Sequence, residues 1–175
     1  KRIMLGAHWD TRPISDRDSN KEHVTLPVIG ANDGASGVAV LLEIARMLSE
    51  KRAPVIVDLI FFDLEDMGEI DNLPFSIGAS QFVAKNSFYR PAAGVIVDMV
   101  CDRDMVIPRE SYSRDRARNL QDKIWRIAAQ QNATAFIDRD GTYINDDHLP
   151  FLEAGLEVVN LIHWPFAESW HTSDD

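Results

Sequence analysis

The chain has 175 residues, a length that suits one domain and leaves little room for a second core. Hydrophobic residues make up 45% and charged residues 26%, as in an ordinary soluble globular protein, which excludes a disordered chain, a coiled coil and a collagen-like repeat. Eighteen Lys and Arg against 28 Asp and Glu give a net charge of −10, which argues against a nucleic acid partner and otherwise reads as solubility.

Residues 2–8 read as a strand, and residues 11–30 as a long polar surface loop with three charges of each sign between Arg12 and Glu22. Val38, Leu41, Leu42, Ala45 and Leu48 recur with helical spacing and predict a helix over 34–50. Val55 to Phe62, the longest apolar run, is interrupted only by Asp58 and predicts a buried strand; Asp58 itself fits a structural pairing with Lys or Arg. Residues 63–75 are acidic and loop-like, and 78–86 suit a short helix. Gly94 to Cys101 is a third strand, 114–131 a second amphipathic helix with Ser113 as N-cap, 150–154 a helical turn closed by Gly155, and 156–162 a fourth strand. Apolar strands separated by helices predict an α/β domain with a largely parallel central sheet covered on both faces.

No apolar run reaches the ~20 residues that a membrane span requires. The one cysteine, Cys101, excludes an internal disulfide and a Cys-rich zinc site, and its apolar surroundings predict burial. The chain opens inside a strand, without an initiator Met or a signal peptide, and stops after His171-Thr-Ser-Asp-Asp with no closing helix. It reads as a piece of a longer domain.

The residues at the strand exits are chemically pointed. In open α/β sheets the ligand crevice lies beyond the carboxyl ends of the strands. The first strand delivers His8-Trp9-Asp10, the second Asp63-Leu64-Glu65-Asp66, the third Asp98, and the fourth a loop reaching Trp170-His171. Asp33 stands at the start of the first helix. Taken singly, each has a bland reading: His-x-Asp is common, and Glu65-Asp66 lies in a charged loop. Taken together, imidazole and carboxylates at every exit suit a zinc site with an open position. One carboxylate of Glu65-Asp66 would then bind metal while the other moves a proton. His23 and His163 read as structural or exposed. No phosphate-binding Gly-x-x-x-x-Gly-Lys or nucleophile Gly-x-Ser-x-Gly occurs.

Ala7-His-Trp-Asp-Thr-Arg-Pro13, Gly30-Ala-Asn-Asp-Gly-Ala-Ser-Gly37, Phe61-Phe-Asp-Leu-Glu-Asp66, Val97-Asp-Met99, Asp146-Asp-His-Leu-Pro-Phe151 and Trp170-His-Thr172 occur in this order. This ordered set resembles the zinc aminopeptidase family that also contains the glutaminyl cyclases. The resemblance covers nearly the whole chain. It implies a three-layer α/β/α fold around a twisted, mostly parallel mixed sheet, here a single zinc-exopeptidase-like domain over 1–175 without the family's first strands and last helix. It also implies a cis peptide at Asp33–Gly34.

Two activities on this scaffold are implied. A resembling cyclase holds one zinc on Asp33, Asp66 and His171 and converts an N-terminal glutamine to pyroglutamate with release of ammonia. Glu65 shuttles the proton, and Asp98 and Asp146 form the acidic network around the leaving nitrogen. A resembling aminopeptidase holds two zincs, adding His8 and Asp98 as ligands of the second, with Asp33 as bridge. Asp146 favours the cyclase, because the aminopeptidases usually carry Ser there; Pro150-Phe151 and Trp170-His-Thr172 point the same way. Glu65-Asp66 looks like the bacterial branch, since animal cyclases have two glutamates. The implied substrate pocket includes Trp170, Phe166 and Asn145, with peptide or protein N-termini as substrate. The loop after Asp66 lacks the tryptophan expected of a cyclase pocket, a gap that Trp164 could fill. Bacterial relatives are mostly exported, which suggests a periplasmic or secreted location.

Overall fold

A computed structural model describes all residues 1–175. Four strands, β1 (Arg2–His8), β2 (Ile56–Phe62), β3 (Gly94–Asp98) and β6 (Val158–Ile162), form one sheet in the order β2-β1-β3-β6. All three pairings are parallel. Two shorter strands missed by the sequence reading, β4 (Ile107–Arg109) and β5 (Phe136–Asp140), pair parallel in a small second sheet. The helices are α1 (Ala35–Glu50), α2 (Ile77–Lys85), α3 (Ser111–Arg116), α4 (Arg118–Gln130) and α5 (His148–Glu153). None is long and apolar enough to cross a membrane.

The alternation of side chains along each strand explains the layers. Met4, Ile96 and Val158 point to one face and pack with Ala79 of α2 and Phe151 of α5. Ala7 and Val97 point to the other and pack with Leu41 of α1, while Val159 meets Trp125 of α4. The expected α/β/α sandwich with a mostly parallel sheet is present. Gly37 lets α1 lie against β3, since a Cβ there would strike the Val97 carbonyl.

Several local expectations need correction. β2 is an edge strand, with Ile56 and Phe61 exposed, because only β1 pairs with it. Asp58 does pair with Arg2, at 2.8 Å. The third strand ends at Asp98, and Cys101 lies exposed beyond it. The chain turns away at Met99, whose φ is 45°. The helix expected over 114–131 breaks at Ala117, whose φ/ψ of −135°/35° are not helical, so two helices result. Ser113 lies inside α3; the N-cap is Glu110, whose carboxylate accepts from the Tyr112 and Ser113 N–H groups.

Candidate metal centre and substrate cavity

β1 and β3 are neighbours, but the chain leaves β1 toward β2 on one side and reaches β6 on the other. The carboxyl ends of β1 and β3 therefore flank the crevice at the switch point of the sheet. His8 ends β1 and Asp98 ends β3, and the His8 Nε2 lies 3.1 Å from an Asp98 oxygen. Asp33, just before α1, lies between two histidines. One of its oxygens is 3.1 Å from His8 Nε2 and the other is 3.6 Å from His171 Nε2. His171 Nε2 is also 3.1 Å from Asp66 Oδ1. Two sets of donors, Asp33–Asp66–His171 and His8–Asp33–Asp98, thus each have their ligand atoms within 4.8 Å of one another. Residues separated by as much as 138 positions in sequence converge, all of them buried.

The surrounding segments hold these side chains by their backbones. The Asp10 carboxylate accepts from the Glu65 and Asp66 N–H groups. Arg12 was expected on a surface loop, yet it is buried. Its guanidinium donates to the Asp66 and Gly68 carbonyls and forms a two-pronged pair with Asp16. The Asp175 carboxylate accepts from the Asn32 and Asp33 N–H groups. Leu64, Ser76, Met99 and His171 all have φ between 45° and 58°. Such backbone costs roughly 1–3 kcal/mol per residue and persists only where the surroundings enforce it. Here it clusters on the segments that aim Glu65, Asp66, Asp98 and His171. The expected cis peptide at Asp33–Gly34 is absent, and the one cis bond is Trp164–Pro165. The chain instead leaves Asp33 through Gly34 at φ 91°, where a Cβ would press on the Asp10 carbonyl and the His8 ring.

Glu65 lies beside this cluster, 6% exposed, and accepts a hydrogen bond from Ser76 Oγ. Asp146 is buried in the lining of the same cavity, where Asn160 Nδ2 donates to it at 2.6 Å and the Asp147 N–H also bonds to it. Asn160 in turn is fixed by Ser113, and Ser113 by Glu110. Glu110 also holds His148 and the Ile144 N–H, so one buried carboxylate braces the segment that carries Asp146. Neither Glu110 nor Asn160 was singled out from the sequence. A lone Glu or Asn in a mixed segment gives no signal; only the fold reveals what it touches. His163 is buried and structural, bonded to the Val106 backbone, and His23 bonds to Asn20 and Ser173.

Six buried carboxylates share this region: Asp33, Glu65, Asp66, Asp98, Asp146 and Asp147. Burial raises Asp33 above the usual carboxylate range, and the charge of Asp98 adds to it. Burial likewise raises Asp66 and Asp98. Glu65 and Asp147 are raised well above, first by burial and then by Asp146. Burial disfavours a charged His8, but Asp98, Asp10 and Asp33 outweigh it and lift its pKa well above the ordinary value. Arg12 spends its charge on Asp16 and on carbonyls. The buried Asp66 Oδ2 has no hydrogen-bond partner. An acidic, histidine-bearing cluster with an unsatisfied carboxylate oxygen fits a bound dication, and imidazole plus carboxylate suits zinc.

The cluster opens into a cavity of about 250 Å3. Its floor is Asp33, Glu65, Asp66, Asp98, Asp146 and His171, and its wall is aromatic. Trp164 and Phe166 meet edge-on, their centroids 4.7 Å apart, and Phe166 packs on Trp170 at 4.5 Å. Asn145 also lines the cavity. Trp170, Phe166 and Asn145 thus all line this one cavity, and so does Trp164.

The family model described as Peptidase family M28 matches residues 1–175. The chain belongs to Peptidase family M28. The chain is 27% identical over 209 residues to a glutaminyl-peptide cyclotransferase-like protein of Bos taurus, covering 100% of this chain and 51% of that protein. Two solved Bacteroides thetaiotaomicron structures superpose with a TM-score of 0.93. One, a leucine aminopeptidase precursor, is 35% identical and covers 98% of this chain and 63% of its own. The other, a glutaminyl cyclase bound to N-acetylhistamine, is 34% identical, with 98% and 64% covered. The chain thus spans about half the length of the curated relative and under two thirds of these two solved chains.

Proposed function

We propose that the protein carrying this chain is a zinc-dependent glutaminyl-peptide cyclotransferase. The observation that carries this reading is the place of Asp146: a buried carboxylate, fixed by Asn160, on the same cavity as Glu65. A water-activating peptidase needs no second acidic group there, whereas a departing ammonia does.

Asp33, Asp66 and His171 would hold one zinc, which when bound supplies Lewis acidity to the γ-carboxamide oxygen of an N-terminal glutamine. The aromatic wall of Trp164, Phe166 and Trp170 packs the aliphatic part of that side chain and excludes water. Glu65 accepts a proton from the α-amine as the amine nitrogen attacks the γ-carbonyl carbon. The new C–N bond closes the five-membered ring. The old C–N bond breaks as Glu65 returns the proton to the leaving nitrogen, which departs as ammonia. Asp98 and Asp146 accept hydrogen bonds from that nitrogen and keep it in line.

A second reading, a two-zinc aminopeptidase, is supported by the His8–Asp33–Asp98 group, which shares Asp33 with the first. There Glu65 would activate water. Zinc content and ammonia release from a glutaminyl peptide test the first reading. Glu65→Gln is expected to keep one zinc per chain and lose ~10²–10⁴-fold in ammonia release. Two zincs per chain, with no ammonia from the unmodified enzyme, would favour the second.

A further inference from the structure

The charge of the chain is unevenly placed. Between Arg109 and Asp140 there are seven Lys and Arg against five Asp and Glu, a net +2, while the remainder carries 11 against 23, a net −12. The fold gathers much of this basic stretch into one groove. Arg109, Arg114, Arg118 and Arg139 line it together with Asp122, Asp138 and Asp140, and no hydrophobic side chain does. Arg109 is held by Asp122 and Asp138, and Arg114 by Asp115 and Asp140. Arg118 and Arg139 are exposed and enter no ion pair.

The groove is linked to the wall of the acidic cavity through side chains. Tyr143 lines that cavity and donates its hydroxyl to Asp115, which also accepts from Arg114. Arg114 reaches on to Asp140 at 3.0 Å. Asp140 in the groove and Thr142 in the cavity wall are two residues apart, so their Cα atoms lie within ~7 Å. A peptide whose first residue occupied the cavity and whose chain ran over Tyr143 would meet the exposed guanidinium groups of Arg118 and Arg139.

We propose that the arginine groove is an extended subsite for the substrate chain, selecting glutaminyl peptides that carry Asp or Glu a few residues downstream. The inference rests on the cyclotransferase reading for the nature of the first residue. Guanidinium groups pair readily with carboxylates in forked geometry, and the net negative charge of the rest of the chain disfavours non-specific binding of such a peptide.

The test uses the full-length, zinc-loaded protein with Glu65→Gln, so that peptides bind without turnover. Fluorescence anisotropy compares Gln-Ala-Ala-Glu-Glu-Glu, Gln-Ala-Ala-Ala-Ala-Ala and Gln-Ala-Ala-Lys-Lys-Lys, each labelled at its C-terminus. The acidic peptide is expected to bind about five- to tenfold tighter than the alanine peptide at low salt, with the lysine peptide weakest. Adding Arg118→Glu and Arg139→Glu should erase or invert that order, and 0.5 M salt (roughly a 4 Å screening length) should narrow it. Arg118→Ala with Arg139→Ala gives the same reading without new charges. Equal affinity for the acidic and alanine peptides, or a preference that survives both pairs of substitutions, overturns the proposal. Ammonia release from the alanine peptide by the unsubstituted enzyme tests the cyclotransferase reading separately. Its absence beside a retained acidic preference would overturn that reading and leave the groove standing.

Discussion

The Asp10 carboxylate grips the site from beneath: its two oxygens accept the backbone N–H groups of Glu65 and Asp66 at 3.1 and 3.0 Å. Its carbonyl accepts from His8 Nδ1 at 3.1 Å. One residue outside the cavity lining thereby orients both Asp66, the proposed metal ligand, and Glu65, the proposed proton carrier. Asp10→Asn replaces one acceptor by an amide that faces an N–H group. Zinc affinity is expected to fall about 10–100-fold, read by competition with a chromophoric chelator. An unchanged affinity would show that the loop holds itself.

Asp146→Ser places at that position the residue type that the resembling aminopeptidases carry. The serine cannot reach as far toward the cavity, and Asn160 Nδ2 loses its carboxylate partner. Cyclisation should fall at least ~10-fold, while zinc content stays the same because Asp146 is not among the proposed ligands. A parallel loss of zinc would assign Asp146 to the metal instead.

Glu110 links stability to pH. Burial pushes its carboxyl up, but hydrogen bonds with His148 and Ser113 outweigh that and hold it below the ordinary value of 4.5. A depressed folded value means stabilisation that is complete above pH ~4.5 and fades as pH falls through the folded value. Glu110→Gln keeps the shape but loses the charge-assisted bonds, at a cost of about 2–3 kcal/mol near neutrality. The gap in Tm between the two proteins should be widest near pH 7 and close below pH ~4.5. A gap independent of pH would mean that Glu110 acts through shape alone.

The sequence is most readable where one physical cause acts locally. The periodicity of Val38, Leu41, Ala45 and Leu48 places α1, and the residues at the strand exits place His8, Asp33, Glu65, Asp66, Asp98 and His171 around one crevice. The break at Ala117 is hidden in the sequence, because the apolar spacing starts at Ala117 itself and the polar Ser113–Arg116 before it fits a first helical turn equally well. β4 is three residues long, too short for alternation to register. Burial of Cys101 was misjudged because the strand stops at Asp98, where a left-handed turn at Met99 overrides the apolar run. The buried clamps of Asp10, Arg12 and Glu110 were invisible as such, since a charged residue looks solvated until the fold supplies its partner.

The proposed reaction closes a glutamine onto its own amine in this cavity. Mass spectrometry of one N-terminal glutaminyl peptide, after incubation with the zinc-loaded enzyme, tests it directly. The expected product is lighter by one ammonia, with every residue retained and the α-amine blocked. A product shortened by the whole glutamine residue, with free glutamine in solution, would contradict it.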